Sequence, residues 1–497
     1  MRKFAAGGLL ATALIALTAA CTTADGGSDL AAGNGCRSLD SDALGYAGAT
    51  SRWVPAAEGM PAFCEVQATL SPVEGSQIGV VYRLPEPWNG KLLGLGGGGW
   101  AGNVTPQAAA EGLRLGYAVM QTDAGHAATT VWDTAWASNP AALEDFSHRA
   151  VHEMTVAGKR LIPAYYRREH EKAYFQGCST GGRMALMEAQ RYPEDYDAIT
   201  AGAPVYTLQV QTSAILRNRS FAKGNGGFSP ADLQLAQNAA VKACDAQDGQ
   251  ADGLINDPRQ CSWDPATIQC TGAKTDSCLA PAQVTALRTV YQGARAPDGE
   301  WAMHPLSRGG EAGWSAFIGT DGSGADMSYS ALGNLFPLAL GRPVDLANFS
   351  MAEVQALRAT SFAKMYEAGD PNLQPFFQRG GKLILWHGES DPGPSPVGTI
   401  DYAAAVNQTA PAASQSLRTF LYPGVGHCAG GPGAFQVELL EALDDWVENG
   451  EAPEKLVGRN PQSGITRPHC AYPAVARYSG SGDANEPENW QCVARQS

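Results

Sequence analysis

The sequence predicts an α/β fold on a mostly parallel sheet, and three observations carry that expectation. Five short apolar runs each end in a glycine-rich or acidic loop: KLLGLGGGG (91–99), GYAVMQTDAG (116–125), KAYFQGCS (172–179), KLILWHGESD (382–391) and LRTFLYPGVGHC (417–428). Segments with apolar residues at helical spacing accompany them, the pattern of strands joined by crossover helices. A serine framed as G-C-S-T-G closes the third run, at 177–181. Every one of these loops follows the C-terminal end of a strand, the edge where open α/β sheets bind their ligands.

Two helices are legible. EDFSHRAVHEMTVAGKRLIPAYY (144–166) follows the Asn139-Pro140 turn and precedes the serine strand. AFQVELLEALDDWVENG (434–450) sets Val437, Leu440, Leu443 and Val447 at helical spacing and stops at Gly450, so it is expected to pack behind the loop of His427. Between 204 and about 370 the strand and helix alternation fades, while glycine, aspartate and four cysteines accumulate. An inserted lid domain is expected over 205–361, with the catalytic domain divided into 36–204 and 362–497.

At 497 residues the chain can bury a large core, and 44% apolar with 17% charged residues is a globular profile. The net charge of −14, without a Lys/Arg cluster, argues against a nucleic-acid partner. MRKFAAGGLLATALIALTAAC (1–21) places two basic residues before an apolar run from Phe4 to Leu17 and then small residues, which reads as an export signal over 1–20. The run is shorter than the ~20 residues a membrane span requires. Thr18-Ala19-Ala20-Cys21 resembles a lipoprotein processing site, with Cys21 lipidated and 21–35 a tether. An ordinary cleavable signal is the alternative, and membrane contact is expected only through that anchor.

An even set of ten further cysteines in an exported chain implies disulfides, and no C-x-x-C pair favours zinc. Proximity favours Cys36 with Cys64, Cys244 with Cys261, Cys270 with Cys278 and Cys470 with Cys492, leaving Cys178 and Cys428 for each other. Those last two flank Ser179 and His427 directly. A bond between them would hold the two loops within the ~4.4–6.8 Å Cα separation a disulfide allows. It would close a 250-residue loop, worth about 5 kcal/mol in the chain-entropy treatment.

The G-x-S-x-G frame, with a strand predicted over 173–176 and a helix over 182–191, is the strand-turn-helix setting that pushes a serine hydroxyl out at a sheet edge. A serine hydroxyl is a weak nucleophile at neutral pH, so it needs a base, and the base needs a carboxylate to fix its tautomer. Asp391 and His427 stand at strand ends in the order Ser, Asp, His. His387 is too near Asp391 and is expected to shape its loop, His469 falls in a structural tail, and His126 is the reserve base. His148 and His152 share a helix face but lack the glutamate of a zinc motif, so a packed or solvated face is expected. Oxyanion donors are expected from the backbone N–H of Thr180 and from Gly97 or Gly98 in the glycine run. In CDAQDGQADGLINDP (244–258), Asp245, Asp248 and Asp252 crowd one loop, suiting either calcium or a run of solvated turns.

Taken together, G-C-S-x-G-G at 177–182, H-G-x-x-D at 387–391 and G-H-C at 426–428 resemble the tannase/feruloyl esterase family over nearly the whole mature chain, from about Cys36 to Cys492. The resemblance implies an exported α/β-hydrolase fold with an inserted lid domain, a triad at Ser179, Asp391 and His427, and a disulfide joining the neighbours of Ser and His. It also implies structural calcium on the side chains of Asp245, Asp248 and Asp252 with the carbonyls of Gln250 and Leu254. The substrate class it implies is a small-molecule aromatic ester of the feruloyl or phenolic type, with a tannase or a terephthalate half-ester hydrolase as alternatives. No arginine of this lid aligns with the one that holds the free carboxylate in the terephthalate enzymes, and Pro394 stands where an aromatic follows the acid. Trp314 is a candidate aromatic wall of the substrate pocket or else a lid-core residue. From a different class, a non-catalytic ligand-binding surface lipoprotein is opposed by the intact Ser179, Asp391 and His427.

Overall fold

The computed structural model describes residues 35–37, 39, 48–57 and 59–495. The export signal, Cys21 and the tether through residue 34 lie outside the described residues. A nine-stranded sheet organises the chain. Its strands are β1 (Thr50–Val54), β2 (Ala62–Leu70), β3 (Ile78–Glu86), β4 (Lys91–Leu95), β5 (Ala118–Thr122), β6 (Lys172–Cys178), β7 (Ala198–Gly202), β8 (Lys382–Gly388) and β9 (Leu417–Tyr422), in the order β1-β2-β3-β5-β4-β6-β7-β8-β9.

The five predicted runs became β4, β5, β6, β8 and β9, and every pairing from β5 to β9 is parallel. The sheet is thus mostly parallel, as expected, and carries one antiparallel edge: β1 pairs antiparallel with β2, β2 with β3 and β3 with β5. Short connections such as the Ala57–Met60 turn join β1 to β2 and β2 to β3 directly, and antiparallel pairing is what short connections permit; β3 and β5 pair although β4 and a helix intervene in the chain.

Helices cover both faces. Helix α1 (Ala150–Tyr166) continues from a π-helical turn at Asp145–Arg149, where the buried Asp145 carboxylate accepts from Ser76 Oγ at 2.7 Å and Arg149 Nε at 2.5 Å. Helix α2 (Thr180–Arg191) follows β6 and is buried along most of its length. Between β7 and β8 the chain departs from the sheet into helices and short turns, including α3 (Gln209–Ala222), with one small ladder pairing Ala294–Arg295 with Trp301–Met303. The residues from Phe221 to Ile318 bury their own apolar cluster, closed by Cys244–Cys261 and Cys270–Cys278. Leu332, Leu335, Phe349 and Leu357 instead join the core beneath the main sheet, so the later part of the insertion packs as part of the catalytic body.

The C-terminal helix α4 (Leu439–Asn449) ends at Gly450, which is left-handed at φ 74°. Its buried face is Leu439, Leu440, Leu443 and Trp446, on the cluster that also holds Ile384 of β8 and Phe420 of β9. The expected Val437 belongs to a two-residue strand before the helix, and Val447 sits at the edge of the face. Asp444 turns inward at the helix side to accept from Lys91 Nζ at 2.6 Å and Tyr174 Oη at 2.5 Å. Replacing the fully buried Leu443 with alanine removes about 2–5 kcal/mol of stability, read as a lower urea midpoint with the slope unchanged.

Candidate active site

Ser179 follows β6 immediately and adopts φ 62°, ψ −124°, a left-handed conformation uncommon for a residue with a side chain. Two features of the surroundings hold it there. Its N–H donates to Gly202 O of β7 at 3.0 Å, and its carbonyl accepts from Arg183 and Val205. Glycine at 96, 177 and 181 lets the strand, the turn and the neighbouring loop touch backbone to backbone: a Cβ on Gly96 would lie 2.4 Å from Gly181 Cα, and one on Gly177 2.3 Å from Gly181 O.

His427 Nε2 lies 2.8 Å from Ser179 Oγ, and its Nδ1 lies 2.7 Å from Asp391 Oδ2. A carboxylate only accepts, so Nδ1–H donates to Asp391 and Nε2 is left to accept from the serine hydroxyl. Asp391 is buried, which opposes its charge, yet the attraction of His427 and hydrogen bonds from His387 and His427 hold its pKa down at about 2. Its Oδ1 accepts the Gly393 N–H at 2.8 Å. His387 stands as expected behind the acid: its Nε2 lies between Asp391 Oδ2 (3.2 Å) and Pro394 O (3.1 Å), and Nδ1 meets Thr399 Oγ1 at 2.7 Å. Cys178 and Cys428 are bonded, with Cα atoms 5.9 Å apart, and the other four proposed pairs form as well.

The glycine run requires a correction. Gly97 directs its N–H at Met184 Sδ (3.4 Å) and Gly98 donates to Ala101 O at 3.1 Å, so both expected donors are already engaged. The turn from Gly98 to Ala101 instead holds Gly99 at φ 59°, which a glycine adopts without strain. Gly99 lines the cavity over Ser179, and Thr180 Oγ1 donates to Gly99 O at 2.5 Å, pinning the turn beside the helix start. Thr180 opens α2, where first-turn N–H groups have no partner within the helix.

The cavity encloses about 600 Å³ including its mouth. Ser179, Thr180 and His427 form its floor, and Trp100, Trp132, Val205, Phe317 and Leu332 supply apolar walls. Phe317 packs edge-on against the His427 ring at 4.9 Å. Trp314 is a second correction: it is buried in the insertion's own core against Phe221 and Tyr291 and does not line the cavity. Sequence reasoning missed the face of α3 formed by Val210, Gln211, Ala214 and Arg217, although its helical spacing was a usable signal. Arg217, buried, donates through Nη1 to Pro392 O and Gly393 O and through Nη2 to His304 O. Burial pushes its pKa down to about 10 against the pull of Asp391 and Asp326.

Four further histidines are engaged away from the Ser179 hydroxyl. His126 Nε2 lies 2.8 Å from Trp100 O with the ring stacked on Trp136, His148 meets Tyr192 Oη, His152 meets Asp195, and His469 meets Ala434 O.

In the aspartate loop, Asp245 accepts from the N–H groups of Asp252 and Gly253, and Asp252 pairs with Arg467 Nη2 at 2.5 Å. Asp248 is pushed up to about 7 by burial, with Asp252 and Asp245 adding to it. Among the described residues no three such side chains are gathered as a metal cage, and the Gln250 and Leu254 carbonyls accept no backbone hydrogen bond. These oxygens suit a hard cation, which would compete with Arg467 for Asp252.

The profile described as tannase and feruloyl esterase matches residues 64–493. Mono(2-hydroxyethyl) terephthalate hydrolase of Piscinibacter sakaiensis is 32% identical, covering 88% of this chain and 86% of that protein. A probable feruloyl esterase B of Aspergillus niger is 31% identical, covering 86% of each. The crystal structure of feruloyl esterase B from Aspergillus oryzae superposes with a TM-score of 0.82 at 25% identity, over 93% of this chain and all of that one. With the parallel strands and their loops arranged as above, the chain is a carboxylic ester hydrolase of α/β-hydrolase fold and belongs to the tannase and feruloyl esterase family.

Proposed function

We propose that this chain is an exported serine carboxylesterase that hydrolyses aromatic esters through Ser179, His427 and Asp391. The observation that carries the reading is the continuous pair of hydrogen bonds from Ser179 Oγ to His427 to Asp391 beneath an apolar cavity. Ser179 Oγ attacks the ester carbonyl while its proton passes to His427 Nε2, and Asp391 steadies the imidazolium. The oxyanion is held by the N–H groups of Thr180 and Gly99. Collapse breaks the ester C–O bond, and His427 returns the proton to the departing alcohol. Water then attacks the acyl-enzyme in the same sense and frees the aromatic acid. The apolar cavity walls suit a planar ring, and the insertion over 205–361 acts as the lid that supplies part of them.

The N-terminal signal and five disulfides fit an oxidising compartment outside the cytosol. Lipidation at Cys21 is part of the proposal. A structural calcium ion is proposed at Asp245, Asp248 and Asp252 with the Gln250 and Leu254 carbonyls, where it neutralises a loop of crowded carboxylates.

Ser179→Ala is expected to lower turnover of methyl ferulate by about 10⁴-fold or more with an unchanged circular dichroism spectrum, and retained turnover rejects the proposal. Because the pKa of Asp391 in the fold, about 2, lies below its ordinary 3.8, its ionisation adds stability that is complete above about pH 4 and is lost as pH falls through about 2. The wild type therefore loses more Tm between those limits than Asp391→Asn does. Calcium at a hundredfold excess over its Kd stabilises by about 2.7 kcal/mol, so chelation lowers Tm in the wild type and leaves Asp248→Asn unmoved.

A further inference from the structure

Glu389 stands between the end of β8 at Gly388 and Asp391, the acid of the proposed triad, and its side chain is fully buried. Oε1 accepts from Arg259 Nη1 at 2.5 Å, and Oε2 has no partner. Arg259 comes from the insertion. Its Nη2 pairs with Asp257 Oδ1 at 2.9 Å, its Nε has no partner, and its guanidinium lies 5.9 Å from the centre of the Tyr472 ring. Asp257 is held in turn by Arg495 Nε at 2.6 Å. Burial raises the Glu389 pKa against the pull of Arg259, and burial also opposes the charge on Arg259, which Glu389 and Asp257 outweigh. Glu389 is therefore held by one directed bond from a planar guanidinium that is itself anchored at its other Nη.

The backbone carries that hold toward the site. Glu389 N–H donates to Tyr422 O and Ser390 N–H to Val425 O, both at 2.9 Å, which ties the start of the Asp391 loop to the segment leading to His427. On the insertion side, a Cβ on Gly310 would lie 2.6 Å from Ser390 Cβ, Arg217 grips the carbonyls of Pro392 and Gly393, and Ser395 Oγ donates to Pro305 O at 2.5 Å. Among these contacts, the Arg259 bond is the one side-chain bond that reaches the loop ahead of Asp391. Neither Arg259 nor Glu389 lines the cavity over Ser179, and both border a separate crevice with Tyr472 and His469. Substituting them leaves the cavity walls in place, so an effect on turnover has to pass through the loop.

We propose that Arg259 is a positioning residue for the reaction, because its bond to Glu389 fixes the loop that aims Asp391 at His427. The proposal rests on the esterase reading of Ser179, Asp391 and His427. Asp391 Oδ2 stands 2.7 Å from His427 Nδ1, and a displacement of about 1 Å in a reacting constellation costs on the order of a hundredfold in rate. The same pair serves acylation and deacylation, so the loss falls on kcat and leaves KM nearly unchanged.

The test compares hydrolysis of methyl ferulate by the wild type, Glu389→Gln, Glu389→Leu and the double variant Arg259→Met/Glu389→Leu. Active sites are counted by fluorophosphonate titration and folding is checked by Tm. Exchanging both charges for apolar groups of similar volume leaves Glu389 and Arg259 with no unpaired ion, and Asp257 keeps Arg495, so the double variant is expected to stay folded. Its kcat is expected to fall by about tenfold to a hundredfold with KM within about twofold of the wild type. Glu389→Gln keeps an acceptor for Nη1 and is expected within about threefold of wild-type kcat, whereas Glu389→Leu falls with the double variant. Wild-type kcat in the double variant, a loss carried by KM, or a Glu389→Gln as slow as Glu389→Leu overturns the proposal. If the double variant does not fold, Glu389→Leu, which leaves Arg259 paired with Asp257, decides by the same criteria. A wild type that neither labels at Ser179 nor turns over the ester sinks the esterase reading. A wild type that does both, beside a double variant of equal kcat, sinks only the positioning role.

Discussion

Ser179 and His427 leave the sheet from β6 and β9, strands separated by β7 and β8, and everything at the site depends on their meeting at 2.8 Å. The constraint that secures this is the covalent link between their neighbours, Cys178 and Cys428. Ser179 and Cys428 both adopt left-handed backbone, each at φ 62°. Conformations of this kind persist only where the surroundings over-determine them. Here the surroundings include the sulfur bridge, the Gly202 carbonyl behind Ser179 and the glycine contacts at 96, 177 and 181. A reacting pair set by such fixed geometry loses little to reorganisation when substrate arrives.

The acid is held by a different kind of force. Asp391 stays charged in a buried place because His427 and His387 approach it and the Gly393 N–H caps its other oxygen. Arg217 reaches from the insertion to the carbonyls of the next two residues, Pro392 and Gly393. The insertion is thus bonded to the loop of Asp391 as well as forming cavity wall, so the cavity and the carboxylate beside His427 share one scaffold.

Much of this was legible in the sequence because the chemistry sits where local patterns are strongest. Ser179, Asp391 and His427 each close an apolar run, and the cysteines adjacent to Ser179 and His427 mark the bridge in the sequence itself. The antiparallel edge of β1 to β3 was not legible, since its strands end in no motif and their pairing is decided by short turns. The engagement of Gly97 and Gly98 was not legible because a run of four glycines carries no register of its own, and only the fold shows that their N–H groups meet Met184 Sδ and Ala101 O. Trp314 could not be placed because an aromatic in a helical insertion can face either the insertion's core or its inner surface. Only the packing of Phe221 and Tyr291 resolves it.

The bridge beside the nucleophile also ties competence to place. Cytosolic thiols are kept reduced, so a chain lingering where it is synthesised has its serine and histidine loops uncoupled across 250 residues of sequence. Oxidation joins them, so the covalent pairing of the two loops depends on the redox state of the compartment in which the chain folds.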